Sequence, residues 1–202
     1  MKLIGMLDSP YVRRVAISLD LLGVRFEHDP LSVFSTFEAF SRINPVVKAP
    51  TLVLDDGSVL MDSTLIIDYF ESLSDPASTL LPQQPQALAA AFSTLGLALA
   101  ACEKAVQIVY EHRVRPAEKL HLPWVERVTG QLLAACTELN KHWAARQSRD
   151  ERPDQAALTT AVVWSFMQLM LPEVVKADDF PALKAHAARL EATDLFKRYP
   201  IT

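Results

Sequence analysis

Three short stretches combine residue types and spacing that offer chemistry: Ser9-Pro10, Lys48-Ala49-Pro50 and Asp62-Ser63. Ser9 stands just before Pro10, so its hydroxyl can satisfy an orphan amide at a helix start while the proline suits the first turn. Asp62-Ser63 puts an acid and a hydroxyl where another helix begins, complementing that helix's dipole. Pro50 suits the start of a strand, where its missing N–H costs nothing. Lys48 reads as a solvated loop lysine. Arg14, inside the helix that Ser9 opens, reads as a surface residue or a partner in an intramolecular salt bridge. The chemistry on offer is hydrogen bonding and charge complementarity at helix starts and a strand edge.

Metal and nucleophile chemistry find no support in the spacing. His28, His112, His121, His142 and His186 show no metal-ligand pattern, and there is no HExxH. No GxSxG nucleophile elbow occurs. Five glycines supply neither a P-loop nor a GxGxxG. Cys102 and Cys136 form no CxxC, which argues against a zinc site or a disulfide framework and fits a reducing compartment. Arg146, Arg149 and Arg152, interrupted by Asp150 and Glu151, read as a solvated loop.

The elements that must position these residues change character along the chain. Lys2–Met6 predicts a strand. Val12, Val15, Ala16, Leu19 and Leu22 follow helical spacing up to Gly23. Val24–His28 predicts a second strand. Leu31–Asn44 is irregular or weakly helical, with Phe34, Phe37 and Phe40 spaced by three. Thr51–Leu54 and Val59–Met61 flank Asp55-Asp56-Gly57 as a hairpin, and the helix after Asp62-Ser63 runs to Leu73. The order is βαβ, then ββα. Residues 75–85, rich in proline and polar side chains, read as a linker. Beyond it no strand pattern appears, and helices are predicted at 87–114, 123–146, 155–171, 181–191 and 194–198. The reading is α/β plus all-α: residues 1–74 form one domain and residues 86–202 a helical one.

With 202 residues, 50% of them hydrophobic, the chain can bury a sizeable core. Its net charge of −4 lacks the footprint of a nucleic-acid binder. The uncharged apolar stretch Ala156–Leu171 falls short of the roughly 20 residues that cross a bilayer and reads as a helix buried on all sides. The apolar run Leu3–Leu7 stops at Asp8 and Pro10, too short for a secretory signal. The expectation is a soluble cytoplasmic protein.

The βαβ–ββα order followed by a helical bundle resembles the cytosolic glutathione transferase family. The residues that carry the resemblance are Ser9-Pro10-Tyr11-Val12-Arg13-Arg14-Val15, Asn44-Pro45-Val46-Val47-Lys48-Ala49-Pro50-Thr51-Leu52 and Asp62-Ser63. Their pattern is that of bacterial, serine-type, tau/omega-like members. The resemblance implies a thioredoxin-like N-terminal domain and a helical C-terminal domain. It implies that Ser9 donates to the glutathione sulfur, favouring the thiolate. Lowering the thiol pKa by about two units needs only ~2.7 kcal/mol.

The resemblance further implies a cis Ala49–Pro50 bond, with glutathione pairing to Ala49 as an added strand. Lys48 would lie near the glycyl carboxylate. Asp62 would pair with the γ-glutamyl ammonium, and Ser63 would hold its α-carboxylate through hydroxyl and amide. The family more often has glutamate before the serine. A second-substrate pocket between the domains is implied, with Tyr11, Phe34, Tyr110, Arg113 and Trp164 as candidates. The family's capping box before the buried helix is altered here: Asp154 can cap, but Ala157 cannot return a carboxylate.

The implied activity is conjugation of glutathione, as co-substrate, to a small hydrophobic electrophile, a detoxifying reaction. The implied assembly is a homodimer, without metal, nucleic acid or membrane. Two alternatives stay open. One is a non-catalytic interaction or regulatory protein on the same fold. The other is a glutathione-dependent thiol oxidoreductase, which wants a cysteine where this chain has Ser9.

Overall fold

Gly5 ends the first strand, β1 (Lys2–Ile4), two residues earlier than the apolar pattern predicts. Its φ of +137° suits glycine, and a Cβ there would stand 2.6 Å from Val12 Cγ2. The chain then turns into α1 (Pro10–Leu21), with Ser9 as N-cap and Pro10 in the first turn. Gly23, with φ +72°, turns the chain out of that helix. The second strand, β2 (Glu27–Asp29), forms three residues later than expected, after the turn that Gly23 makes. The segment read as irregular contains a short helix, α2 (Phe37–Ile43), in which Phe40 is buried and Phe37 exposed; Phe34, in the turn before it, is exposed too. The helical period does not reach Phe34, and α2 is too short for the three phenylalanine positions to form one buried face. The hairpin forms as β3 (Thr51–Val53) and β4 (Val59–Met61), and α3 (Ser63–Leu73) follows with Asp62 as its cap.

This computed structural model describes residues 1–146 and 152–201. The four strands form one mixed sheet in the order β2-β1-β3-β4, with β1 parallel to β2 and antiparallel to β3. Leu3, Val12, Val15, Ala16, Leu19, Leu52, Ile66 and Phe70 are among the side chains that fill its core. The architecture is a thioredoxin-like N-terminal unit joined to a helical one.

The helical part is built from α4 (Pro85–Arg113), α5 (Leu122–Ala145), α6 (Gln155–Met170) and α7 (Pro181–Glu191). Residues 155–164 of α6 are all buried, as a centrally packed helix requires. Asp154 caps it alone, its Oδ1 accepting from Ala157 N at 2.7 Å. The uncharged run reaching Cys102 in α4 is longer than the one at 156–171. By length and composition α4 is the one described helix apolar enough to cross a membrane. Its Ala91, Leu95, Ala98, Ala105 and Ile108 are buried, while Phe92 is exposed.

The chain divides into Met1–Leu81 with Thr193–Thr202, and Pro82–Ala192. The boundary falls inside the expected linker. The final helix, α8 (Asp194–Arg198), expected with the helical domain, instead belongs to the first unit. Arg13 holds it there: Nε donates to Tyr199 O at 2.7 Å, and the guanidinium lies 5.3 Å from the Phe196 ring centre. Tyr199 donates its hydroxyl to Asp20 Oδ2 at 3.0 Å.

Candidate functional site

Strand register brings the N-terminal motifs to one end of the sheet. Ile4, the last residue of β1, pairs with Thr51, the first of β3. Thr51 pairs in turn with Met61, the last of β4. The segments that carry Ser9, Lys48-Ala49-Pro50 and Asp62-Ser63 therefore all leave from the same edge. The Ala49–Pro50 peptide is cis. Gly5 and Ala49 are close neighbours, since a Cβ built on Gly5 would lie 3.2 Å from Ala49 Cβ.

Ser9 is half-buried, and its Oγ accepts from Val12 N at 3.4 Å. That is a long cap bond, well beyond the common 2.9–3.0 Å. Among the described residues no acceptor takes the Ser9 hydroxyl hydrogen. One residue earlier, burial raises the Asp8 carboxyl above its ordinary range. Lys48 is exposed.

Asp62 has φ +70° and caps α3, its Oδ1 accepting from Thr64 N at 2.9 Å. One carboxylate oxygen is thus committed to the helix. Ser63 is buried, and the N–H it contributes is one of the four that lack an intrahelical acceptor.

Behind Asp62-Ser63 lies Arg14, for which sequence alone suggests a surface position or an ion pair. Arg14 is 1% exposed, so it is no surface residue. Its Nη1 donates to Ser63 Oγ at 3.0 Å and to Thr64 Oγ1 at 3.1 Å. A usable signal was present: Arg13 and Arg14 lie between Val12 and Val15 on a helix whose apolar positions leave little room for solvent. Asn44 was also missed as a site residue. Its Oδ1 accepts from Val46 N at 3.0 Å, and its Nδ2 donates to Thr51 Oγ1. It thereby stitches together the loop that bears Lys48 and Ala49.

The second-substrate candidates are divided. Tyr11, half-buried, and Phe34, exposed, belong to the first unit. Tyr110, Arg113 and Trp164 belong to the second. Tyr110 and Arg113 are exposed near the end of α4, and partial burial raises the Tyr110 phenol above its usual range. Trp164 is buried and packs edge-on against Phe180, at 6.4 Å between ring centres. Its ring is a core ring.

Among the described residues, no group of three or more His, Cys, Asp or Glu side chains is placed to hold a metal. Arg146 is not a solvated loop residue: it lies over the Trp143 ring at 5.0 Å and pairs with Asp154 at 3.5 Å. Arg152 is exposed, and Arg149, Asp150 and Glu151 lie outside the described residues.

Comparison with known proteins fits this geometry. Residues 3–78 match the family described as "Glutathione S-transferase, N-terminal domain". The chain is 35% identical over 85 residues to an uncharacterized GST-like protein, YibF, of Escherichia coli (strain K12), a match covering 42% of each. It is 27% identical over 143 residues to glutathione S-transferase U4 of Arabidopsis thaliana, covering 64% of this chain and 61% of that one. These matches therefore span less than two thirds of either relative. Among solved structures, a glutathione S-transferase from Methylobacterium radiotolerans, in complex with glutathione sulfonate, superposes with a TM-score of 0.87 at 26% identity. That likeness covers 98% of this chain and 93% of the other. A glutathione transferase family member from Pseudomonas fluorescens, with bound glutathione, gives 0.81 at 25% identity, covering 100% and 98%. Residues 3–78 thus match the N-terminal domain of glutathione S-transferases in sequence, and the whole length is similar in fold to solved glutathione S-transferases.

Proposed function

We propose that the first unit binds glutathione as co-substrate and that the protein conjugates it to a small hydrophobic electrophile. The observation that carries this reading is the alignment of Ile4, Thr51 and Met61 across the sheet, from whose common edge the three motif segments depart. On this reading, the backbone of Ala49, before Pro50, pairs with the cysteinyl unit as an added strand. The free oxygen of Asp62 takes the γ-glutamyl ammonium, Ser63 takes the α-carboxylate, and Lys48 lies toward the glycyl carboxylate. Two relatives of this fold were solved with glutathione or its sulfonate bound, which supports the choice of ligand.

The role of Ser9 follows from its spare hydrogen. A free thiol titrates near ~8.5, so little thiolate exists at neutral pH. Donation from the Ser9 hydroxyl, with the positive end of α1, favours the anion. The thiolate then attacks the electrophilic carbon and the leaving group departs with the electron pair. Tyr11 and Phe34 are proposed to contact the electrophile. The thiol oxidoreductase alternative is disfavoured, because burial pushes the Cys136 thiol up to about 12 and Cys102 is buried as well. Like the family generally, the protein is proposed to be soluble and cytoplasmic.

A homodimer is proposed on a second observation. Leu65, Tyr69 and Leu73 are exposed and spaced by four, a single apolar row along α3, and Met61 at the end of β4 is exposed as well. A two-fold contact would bury that row.

Titration calorimetry with glutathione tests the reading. Asp62→Ala or Ser63→Ala should weaken binding by roughly 1.5–3 kcal/mol, the loss of a charge-assisted contact. No heat at millimolar glutathione would favour a non-catalytic protein on the same fold.

A further inference from the structure

Nine of the twelve residues of α1 are buried, and Arg14 is among them. Its guanidinium reaches across to α3 and meets two hydroxyls on that helix's first turn, Ser63 Oγ at 3.0 Å and Thr64 Oγ1 at 3.1 Å. Arginine is charged throughout the pH range in which proteins fold, and it carries five donors and no acceptor. Toward Ser63 it can only donate. The Ser63 oxygen spends a lone pair on that bond and keeps its own hydrogen. Among the described residues no acceptor takes that hydrogen. The hydroxyl is therefore set as a donor whose O–H turns away from Arg14.

Charge reinforces this polarity. The N-terminus of α3 already carries partial positive charge, and Arg14 places a full positive charge behind it. Thr64 N is occupied by Asp62 Oδ1 at 2.9 Å, which leaves the Ser63 N–H for a ligand. One O–H donor, one N–H donor and a buried cation behind them match a carboxylate. An ammonium, which only donates, could satisfy neither group.

Resting on the glutathione reading of this site, we propose that Arg14 is a positioning residue that sets Ser63 as a donor and selects the α-carboxylate of the γ-glutamyl group. It touches no ligand atom and acts through Ser63. Selectivity for a free α-amino acid end then comes from two opposed features on one helix turn: Asp62 for the ammonium, and Ser63 backed by Arg14 for the carboxylate.

The test compares two ligands by calorimetry: glutathione, and γ-aminobutyryl-cysteinyl-glycine, which lacks only the α-carboxylate. Arg14→Gln should weaken glutathione about tenfold, as for a lost charge-assisted hydrogen bond, and leave the analogue's affinity unchanged. Arg14→Lys should recover part of the loss, since charge returns without the fork. The double variant with Ser63→Ala should lose no more than the larger single loss. Equal weakening of both ligands by Arg14→Gln would make the arginine merely structural and overturn the proposal, as would unchanged glutathione affinity. If the wild-type protein binds neither ligand, the glutathione reading itself fails and this inference falls with it. Should Arg14→Gln not fold, arginine side-chain nitrogen resonances of the wild-type protein decide the matter. Glutathione should shift the Arg14 Nη signal and the analogue should not; equal shifts, or none, overturn the proposal.

Discussion

Asn44 and Thr51, seven residues apart, are joined side chain to side chain: Asn44 Nδ2 donates to Thr51 Oγ1 at 2.8 Å. Thr51 passes the bond on, its hydroxyl donating to Lys48 O at 2.7 Å. Both side chains are buried, so neither has water as a substitute partner. The pair closes the loop between α2 and β3 and fixes where Lys48 and Ala49 stand relative to the sheet edge.

Removing that brace should cost stability and ligand affinity together. Asn44→Ala leaves Val46 N without its side-chain acceptor and should destabilise the protein by roughly 1–3 kcal/mol. Urea denaturation, followed by glutathione titration of the folded variant, checks this. A stability loss below about 0.5 kcal/mol with unchanged affinity would show that the loop holds its shape without Asn44.

Gly5→Ala probes the closest approach around the site. The new methyl would press on Val12 at 2.6 Å and on Ala49 at 3.2 Å, at a φ of +137°. Overpacking and the disfavoured backbone together should cost about 2–4 kcal/mol. Adding Val12→Ala should restore only part of this, because the smaller side chain relieves the contact and leaves φ as it was. Full restoration in denaturation curves would mean that the backbone conformation carries no cost.

Replacement of Ser9 separates its two capacities. Alanine removes both hydroxyl and cap, whereas glycine removes the hydroxyl at a capping cost of only a few tenths of a kcal/mol. Both variants should lose conjugation of a chlorodinitrobenzene electrophile. The pKa of the bound thiol, read from thiolate absorbance, should rise toward ~8.5, with a smaller change in glutathione affinity. Wild-type rates and thiol pKa in both variants would reduce Ser9 to a cap.

Assembly should depend on the row along α3. Leu65 and Leu73 are 64% and 65% exposed. Replacing both by glutamate should leave the fold intact and put charges where a two-fold partner would bury them. Sedimentation should then give the mass of one 22.5 kDa chain, against twice that for the wild type. A wild-type mass equal to one chain would remove the dimer.

His186 should set part of the acid limit. It is buried, donates Nε2–H to Ala157 O at 2.9 Å and stacks on Trp143 with ring centres 3.5 Å apart. Burial pushes its pKa down to about 4 from 6.5. Its folded-state pKa lies below the unfolded one, so the unfolded chain binds the proton first. The contribution is therefore fully present above pH 6.5 and is lost as the pH falls through about 4. A gap of that size corresponds to ~3 kcal/mol. In His186→Gln, the slope of unfolding free energy against pH in this window should flatten; an unchanged slope would assign it to other groups.

Local chemistry made much of the fold legible in the chain itself. Ser9-Pro10, Gly23, the Asp55-Asp56-Gly57 turn and Asp62-Ser63 mark element ends through capping and φ preferences that act within a few residues. Periodicity near 3.6 then separates α1 and α3 from the strands. Tertiary structure decided what depends on the partner an element meets. The surface alternative for Arg14 failed because α3, 49 residues further on, covers α1 and supplies Ser63 and Thr64 as acceptors. The C-terminal segment reads with the helices before it because its own pattern is helical. It joins the first unit because Arg13, 186 residues earlier, bonds Tyr199. Trp164 is a pocket candidate by type but a core ring in the structure, because residues 155–164 of α6 are all buried. Spacing within one element cannot show which side chains a distant element will cover; burial and the pairing of buried polar groups arise only when the elements pack.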